Sequence, residues 1–151
     1  MLTSPEGSFT TGVLRYLDAC PGVADPLSRI YVPFKPDGAT TWFLALLDTG
    51  GHFCVLGPAV ASILEEHLTG GLEHATLMTA RGRIQGRLYR HRIDLLADDG
   101  DDLGVEATVL VSPDWQGPSV IGYTGMLDRI RFAVDPPANR FHFGPPALAS
   151  R

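Results

Sequence analysis

Six consecutive apolar residues, Trp42-Phe43-Leu44-Ala45-Leu46-Leu47, run straight into Asp48-Thr49-Gly50-Gly51, and after His52 the chain is apolar again at Phe53-Cys54-Val55-Leu56. Runs this short, bounded by turn residues, fit strands buried on both faces better than helices. An acid and two glycines are therefore placed at a sharp turn between two buried strands. By itself, Asp-Thr-Gly reads as a surface turn, because Asp and Gly dominate turns. The apolar flanks change that reading. A carboxylate at the end of a buried strand is costly to ionise without a partner, so a chemical role or a partner is expected for Asp48. Gly50 and Gly51 let the backbone turn tightly and approach another chain or a ligand.

The rest of the chain is punctuated for short strands. With 17 Gly and 12 Pro in 151 residues, many strands joined by turns are favoured over a helix bundle. Ile30 to Phe34 reads as a strand and Pro36-Asp37-Gly38 as a turn, so a hairpin delivers its second strand into Asp48. One clear helix follows. Pro58 suits its first turn, Val60, Ile63, Leu64 and Leu68 share a face, and Gly70 stops it. Leu77 to Ala80, Gly82, and Ile84 onward read as strand, turn, strand. Tyr89 to Leu96 and Val105 to Val111 flank the acidic turn Asp98-Asp99-Gly100-Asp101-Asp102 as a further hairpin. Val120-Ile121-Gly122 is a short strand and Met126 to Ile130 a short helix. Phe132-Ala133-Val134 and Phe141-His142-Phe143 are strands around Pro136-Pro137-Ala138-Asn139. Before Arg29 the only signal is a weak helix or strand at Val13 to Leu17. The expected division is an N-terminal extension (1–26), one domain (27–146) and a short tail (147–151).

Several classes are disfavoured. A net charge of -5 gives no general reason for nucleic-acid binding. Arg81, Arg83, Arg87, Arg90 and Arg92 cluster with His91 but lack an aromatic stacking platform, so they read as a solvated ribbon face. If the ribbon covers a site, some of them would instead favour acidic substrate side chains. Cys20 and Cys54 form no CxxC pair, the five histidines contain no HExxH, and the acidic turn lacks EF-hand spacing. No metal is expected. Cys54 reads as a small packing residue rather than a nucleophile, and no Ser-His-Asp triad is suggested. The opening residues carry no basic and apolar signal pattern, and no apolar run approaches the roughly 18 residues of a membrane span. A cytoplasmic protein with no membrane partner is expected.

Two segments, taken together, resemble the retropepsin-like aspartic proteases. Leu46-Leu47-Asp48-Thr49-Gly50-Gly51-His52-Phe53-Cys54-Val55-Leu56 is similar to that family's active-site loop: two apolar residues, Asp-Thr/Ser-Gly, a small residue and an apolar strand. Val120-Ile121-Gly122-Tyr123-Thr124-Gly125-Met126-Leu127-Asp128-Arg129-Ile130 is similar to its second signature, where two apolar residues and a Gly pack behind the loop and lead into a short helix. The hairpin Phe132 to Phe143, with Asp135 before its turn, resembles the strand that follows in cellular and bacterial members. There are departures. Gly51 stands where relatives carry Ala or Ser, Tyr123-Thr124 replaces Arg-Asp or Arg-Asn, and His52-Phe53 lacks the acidic pair of the viral enzymes. The Arg and the acid normally bond each other, so their joint absence is self-consistent.

The resemblance implies a mostly β, closed retropepsin-like β-barrel with one clear and one short helix, assembled as a homodimer. It implies Asp48, Thr49 and Gly50 as catalytic residues and Val120, Ile121 and Gly122 as support for their loop. Gly51 and His52 would contact substrate. The stretch Met78 to Gly86 would form a flap, with Arg81, Gly82 near the tip, Arg83, and Ile84 pointing inward. The chemistry itself requires two carboxylates sharing a proton, one activating a water and the other donating to the scissile carbonyl. One Asp-Thr-Gly and no internal repeat mean that the second carboxylate comes from another copy. Since water is the nucleophile, no cofactor is implied, and the partners are the chain itself and a peptide or protein substrate. Two alternatives stand beside this aspartic endopeptidase: a weak or inactive binding and regulatory module on the same scaffold, and a domain that processes only itself or one partner.

Overall fold

The structure, a computed structural model, describes residues 1–5, 7–22, 24, 27 and 29–146. It is mostly β. In chain order the strands begin with Thr3–Ser4 (β1), Gly7–Ser8 (β2) and Gly12–Arg15 (β3), followed by Tyr31–Pro36 (β4), Phe43–Leu47 (β5) and Cys54–Val55 (β6). The helix Pro58–Leu64 (α1) comes next, then His74–Thr79 (β7), Gly82–Leu95 (β8), Asp99–Gly100 (β9) and Leu103–Val111 (β10). Ser119–Ile121 (β11), a 3-10 turn at Leu127–Arg129, Arg131–Asp135 (β12) and Arg140–Gly144 (β13) complete the set.

Six strands close into a barrel. The order is β10-β6-β11-β5-β4-β8, and β8 pairs back onto β10 over Arg87 to Leu95. The expected hairpins form where turn chemistry marks them: β4 with β5, β7 with β8, β8 with β10, and β12 with β13. Gly38, at φ +86°, makes the first of these turns and lies so close to the His67 ring that a Cβ would approach it to 2.5 Å.

The barrel strands bury both of their faces in different places, as strict side-chain alternation requires. Val32, Ala45, Cys54, Ile93, Val109 and Ile121 belong to the main core. The opposite face carries one continuous row of cross-strand neighbours: Tyr31 beside Leu46, Leu46 beside Val120, Val120 beside Val55, Val55 beside Leu110, and Leu110 beside Leu88. Val55, Leu88, Leu110 and Ile84 form a second, smaller cluster on this side.

A four-stranded sheet, β12-β13-β3-β9, packs beside the barrel. Its β3 lies inside the stretch expected to be an N-terminal extension. Leu14 and Tyr16 are 1% and 4% exposed and belong to the same core as Phe141 and Phe143. Residues 12–16 are thus part of the folded unit, while the expected tail at 147–151 lies outside the described residues. Two further expectations are corrected. β5 begins at Phe43, leaving Trp42 55% exposed. The helix stops at Leu64, so its buried stripe is the i, i+4 pair Val60 and Leu64, and Ile63 at the stripe's edge faces outward. Among the described residues, no helix is long and apolar enough to cross a membrane.

Candidate active site

The apolar row on the outer barrel face becomes the floor of a cleft of about 650 Å³. Tyr31, Leu46, Val55 and Val120 all line it. The all-apolar character of β5 therefore has two separate causes: Ala45 faces the core, and Leu46, one residue on, faces the cleft. Asp48 shares the parity of Leu46 along the strand and also lines the cleft, together with Gly50, Gly51 and His52.

The loop carrying Asp48 is held by main-chain contacts. β11 lies between the strands that enter and leave it, parallel to β5 and antiparallel to β6. Asp48 N donates to Ile121 O at 2.9 Å, Tyr123 N to Gly51 O at 2.8 Å, and Thr124 N to His52 O at 2.6 Å. Gly122 sits so close beneath the loop that a Cβ would lie 2.3 Å from Phe53 O. Tyr123 and Thr124 thus hold the loop through their backbone amides. The 3-10 turn beyond is tied to the barrel in its own way: the Arg129 guanidinium donates to Glu106 O and, at 3.2 Å, to Thr108 Oγ1, while Asp128 Oδ1 accepts from Gly125 N at 2.8 Å.

Within the loop, Gly50 N donates to Asp48 Oδ1 at 3.0 Å, and Gly51 N donates to Asp48 O at 3.1 Å. A Cβ on Gly51 would come to 3.1 Å from Oδ2, so the glycine leaves this oxygen uncrowded. Asp48, Thr49 and Gly50 are exposed. The carboxylate is oriented on one oxygen by its own loop and open on the other side. Beside it, Cys54 is 1% exposed on the core face. Burial is the main cause that pushes its thiol up to about 12, partly offset by the Gly122 backbone. A thiol kept protonated in this way is no nucleophile.

The hairpin of β7 and β8 forms another wall. Thr76 to Arg81 line the cleft, which makes β7 and the turn the cleft-facing part. Gly82 and Arg83 are exposed outside that lining, and Ile84 is 6% exposed in the second cluster. Ile84 therefore points into the protein and fixes the hairpin's base. A buried side chain of this size contributes roughly 2 kcal/mol, against roughly 1 kcal/mol for a hydrogen bond, so the base is held more firmly than the tip. At the tip, Thr79 Oγ1 donates to Gly82 O at 2.8 Å and accepts from Arg81 N at 3.2 Å.

Trp115 completes the enclosure. Its indole Nε1 donates to Pro118 O at 2.8 Å, and the ring lies over Gly117, where a Cβ would be 2.5 Å away. Its segment is tied to the hairpin: Gln85 N donates to Asp114 Oδ2 at 3.2 Å, and Ser112 Oγ donates to Gln85 O at 2.5 Å. Sequence reasoning missed Arg29, Tyr31, Trp115 and, on β7, Thr76 and Leu77 as parts of one cleft. The signal available was the period-two parity of Tyr31 with Leu46, usable only once the register is known. Among the described residues, no three His, Cys, Asp or Glu side chains gather as metal ligands. The chain matches no protein-family model and no curated protein.

Proposed function

We propose that this chain is an aspartic endopeptidase of the retropepsin-like kind, active as a homodimer in which two Asp48 carboxylates face each other. The observation that carries the reading is the placement of Asp48: an exposed carboxylate, oriented by Gly50 N, on a glycine loop at the apolar floor of a cleft walled by a hairpin. Among the described residues, Asp48 is the one acid lining that cleft, while hydrolysis by activated water needs two. A second copy related by a two-fold axis supplies the other through an isologous contact of the two loops.

In the dimer the pair shares one proton, because two adjacent carboxylates cannot both ionise. The ionised Asp48 removes a proton from water as that water attacks the scissile carbonyl carbon. The protonated partner gives its proton to the carbonyl oxygen. Collapse of the tetrahedral intermediate, with proton transfer to the leaving nitrogen, then breaks the peptide bond. Gly50 N keeps Oδ1 in place, and Thr49, exposed at the loop, is positioned to meet the partner's loop. The hairpin closes over bound peptide and excludes water.

The test is digestion of a diverse peptide mixture between about pH 3 and pH 7, read by mass spectrometry for wild type and Asp48→Asn, with sedimentation on both. Asparagine keeps the shape but cannot share the proton. Cuts that require Asp48, made by a dimer, are the expected result. An intact dimer that cuts nothing would instead favour a non-catalytic peptide-binding module.

A further inference from the structure

Among the described residues lining the cleft, the acidic, basic and imidazole side chains are those of Asp48, His52, Arg29 and Arg81. The protein as a whole is acidic, at -5, so an arginine at the tip over this cleft runs against the overall balance. Arg81 sits at the hairpin tip, its backbone fixed by the Thr79 hydroxyl, and its side chain is exposed and pairs with no carboxylate among the described residues. The other arginines of the ribbon differ. Arg92 pairs with Asp94 at 3.0 Å, Arg87 meets His74 Nε2 at 3.2 Å, and neither they nor Arg83 and Arg90 line the cleft.

We infer that Arg81 is a specificity residue that selects peptides carrying an acidic side chain where they pass under the hairpin tip; this rests on the cleft being the peptide site proposed above. Phe53, Leu77 and Trp115 give the cleft apolar walls. A bound peptide displaces water from between them and lowers the effective dielectric, which strengthens a charge pair relative to one on an open surface. Guanidinium and carboxylate also match as a bidentate, charge-assisted pair. A shared proton leaves the catalytic pair with one negative charge, which repels acidic peptides, and Arg81 offsets that repulsion locally.

The experiment uses neutral peptides with a central Phe-Leu pair, matched to the apolar floor, in which a single Glu or its isostere Gln is walked through each position. Binding is read by fluorescence anisotropy on full-length Asp48→Asn protein, so that the answer does not depend on cleavage; cleavage by wild type is measured in parallel. At one position the Glu peptide is expected to bind about tenfold more tightly than its Gln twin. Adding Arg81→Gln should bring that ratio close to one, Arg81→Lys should keep part of it, and Arg81→Glu should favour a Lys peptide instead. Raising salt from 0.05 M to 0.5 M should shrink the ratio, since the screening length falls below about 10 Å. Equal binding of Glu and Gln peptides at every position, or a ratio that survives Arg81→Gln, overturns the inference. Failure of wild type to cleave peptides that bind overturns the proteolytic reading and leaves the selection by Arg81 standing.

Discussion

The loop Asp48 to His52 and the hairpin tip Thr79 to Gly82 are both exposed glycine turns on one cleft, yet they are built in opposite ways. The loop is clamped from behind by β11 and the two amides that follow Gly122, with Gly122 in contact that leaves no space for a side chain. The tip touches nothing comparable. A Cβ on Gly82 would find no atom within 4 Å, and the Thr79 hydroxyl bonds within the tip, to Gly82 O and Arg81 N. On the proposed reading, the acid that would meet its twin sits on the fixed element, and the cover that would open for peptide sits on the free one.

The sharpest way to break this contrast is Gly122→Ala. The new methyl would lie 2.3 Å from Phe53 O and 2.5 Å from its carbonyl carbon. Neither backbone can yield without pulling the loop off β11. A loss of about 3 kcal/mol or more in unfolding free energy is expected from overpacking of this kind, with peptide cleavage lost as well. Denaturant melts and the digestion assay check both. A variant as stable as wild type would mean that the loop is not clamped.

Gly82→Ala is the matched change on the free element. Gly82 has φ +117°, a backbone state that costs other residues on the order of 1–3 kcal/mol. Because the methyl meets no neighbour, the strain is relieved by local opening. Global stability should therefore fall by about 1 kcal/mol or less, while amide exchange at Met78 to Ile84 quickens and KM rises more than kcat falls. Asp114→Ala probes the tie between the hairpin and the Trp115 segment. It removes the acceptor of Gln85 N, at an expected cost of about 1 kcal/mol, seen first as faster exchange in the hairpin.

How much of this was readable from the residues depends on distance along the chain. Hairpins were legible because turn residues and alternation are local: Pro36-Asp37-Gly38, Gly82 and Asn139, whose φ is +51°, all mark turns that form. The loop was legible because an acid and two glycines break two apolar runs. What stayed hidden is what register decides. An apolar residue on β5 reads the same whether it packs in the core, as Ala45 does, or floors a cleft, as Leu46 does. β3 was faint for a related reason: four residues carry little periodicity, and its partner β13 lies more than a hundred residues away, with Leu14 beside Phe141. Ile84 shows how parity fills in what family order leaves open. The resemblance had Ile84 pointing inward on the flap, and strand parity places it in the second cluster with Leu88.

The smallest expected effect separates the cleft from the sheet beside it. His142 on β13 is 6% exposed, and its Nδ1 has no hydrogen-bond partner among the described residues. Its pKa is lowered first by burial and then by the N-terminal amine, with Asp135 opposing and Arg140 adding a little. A histidine whose folded pKa lies below the unfolded value of about 6.5 stabilises the fold fully above that pH, and the contribution is lost as pH falls through the folded value. Unfolding temperature should therefore decline on acidification from pH 7, with β3 and β13 losing exchange protection before β5 and β11. His142→Leu removes the titration and the unpaired nitrogen together, so its melting curve should flatten over that range. Cleavage by the two proteins should show the same pH profile where both are folded, because the cleft is floored by the barrel and not by the sheet that carries His142. A matching shift in the cleavage profile would mean that the sheet and the Asp48 loop are coupled, and the division of the molecule into a fixed cleft floor and an independent flank would fail.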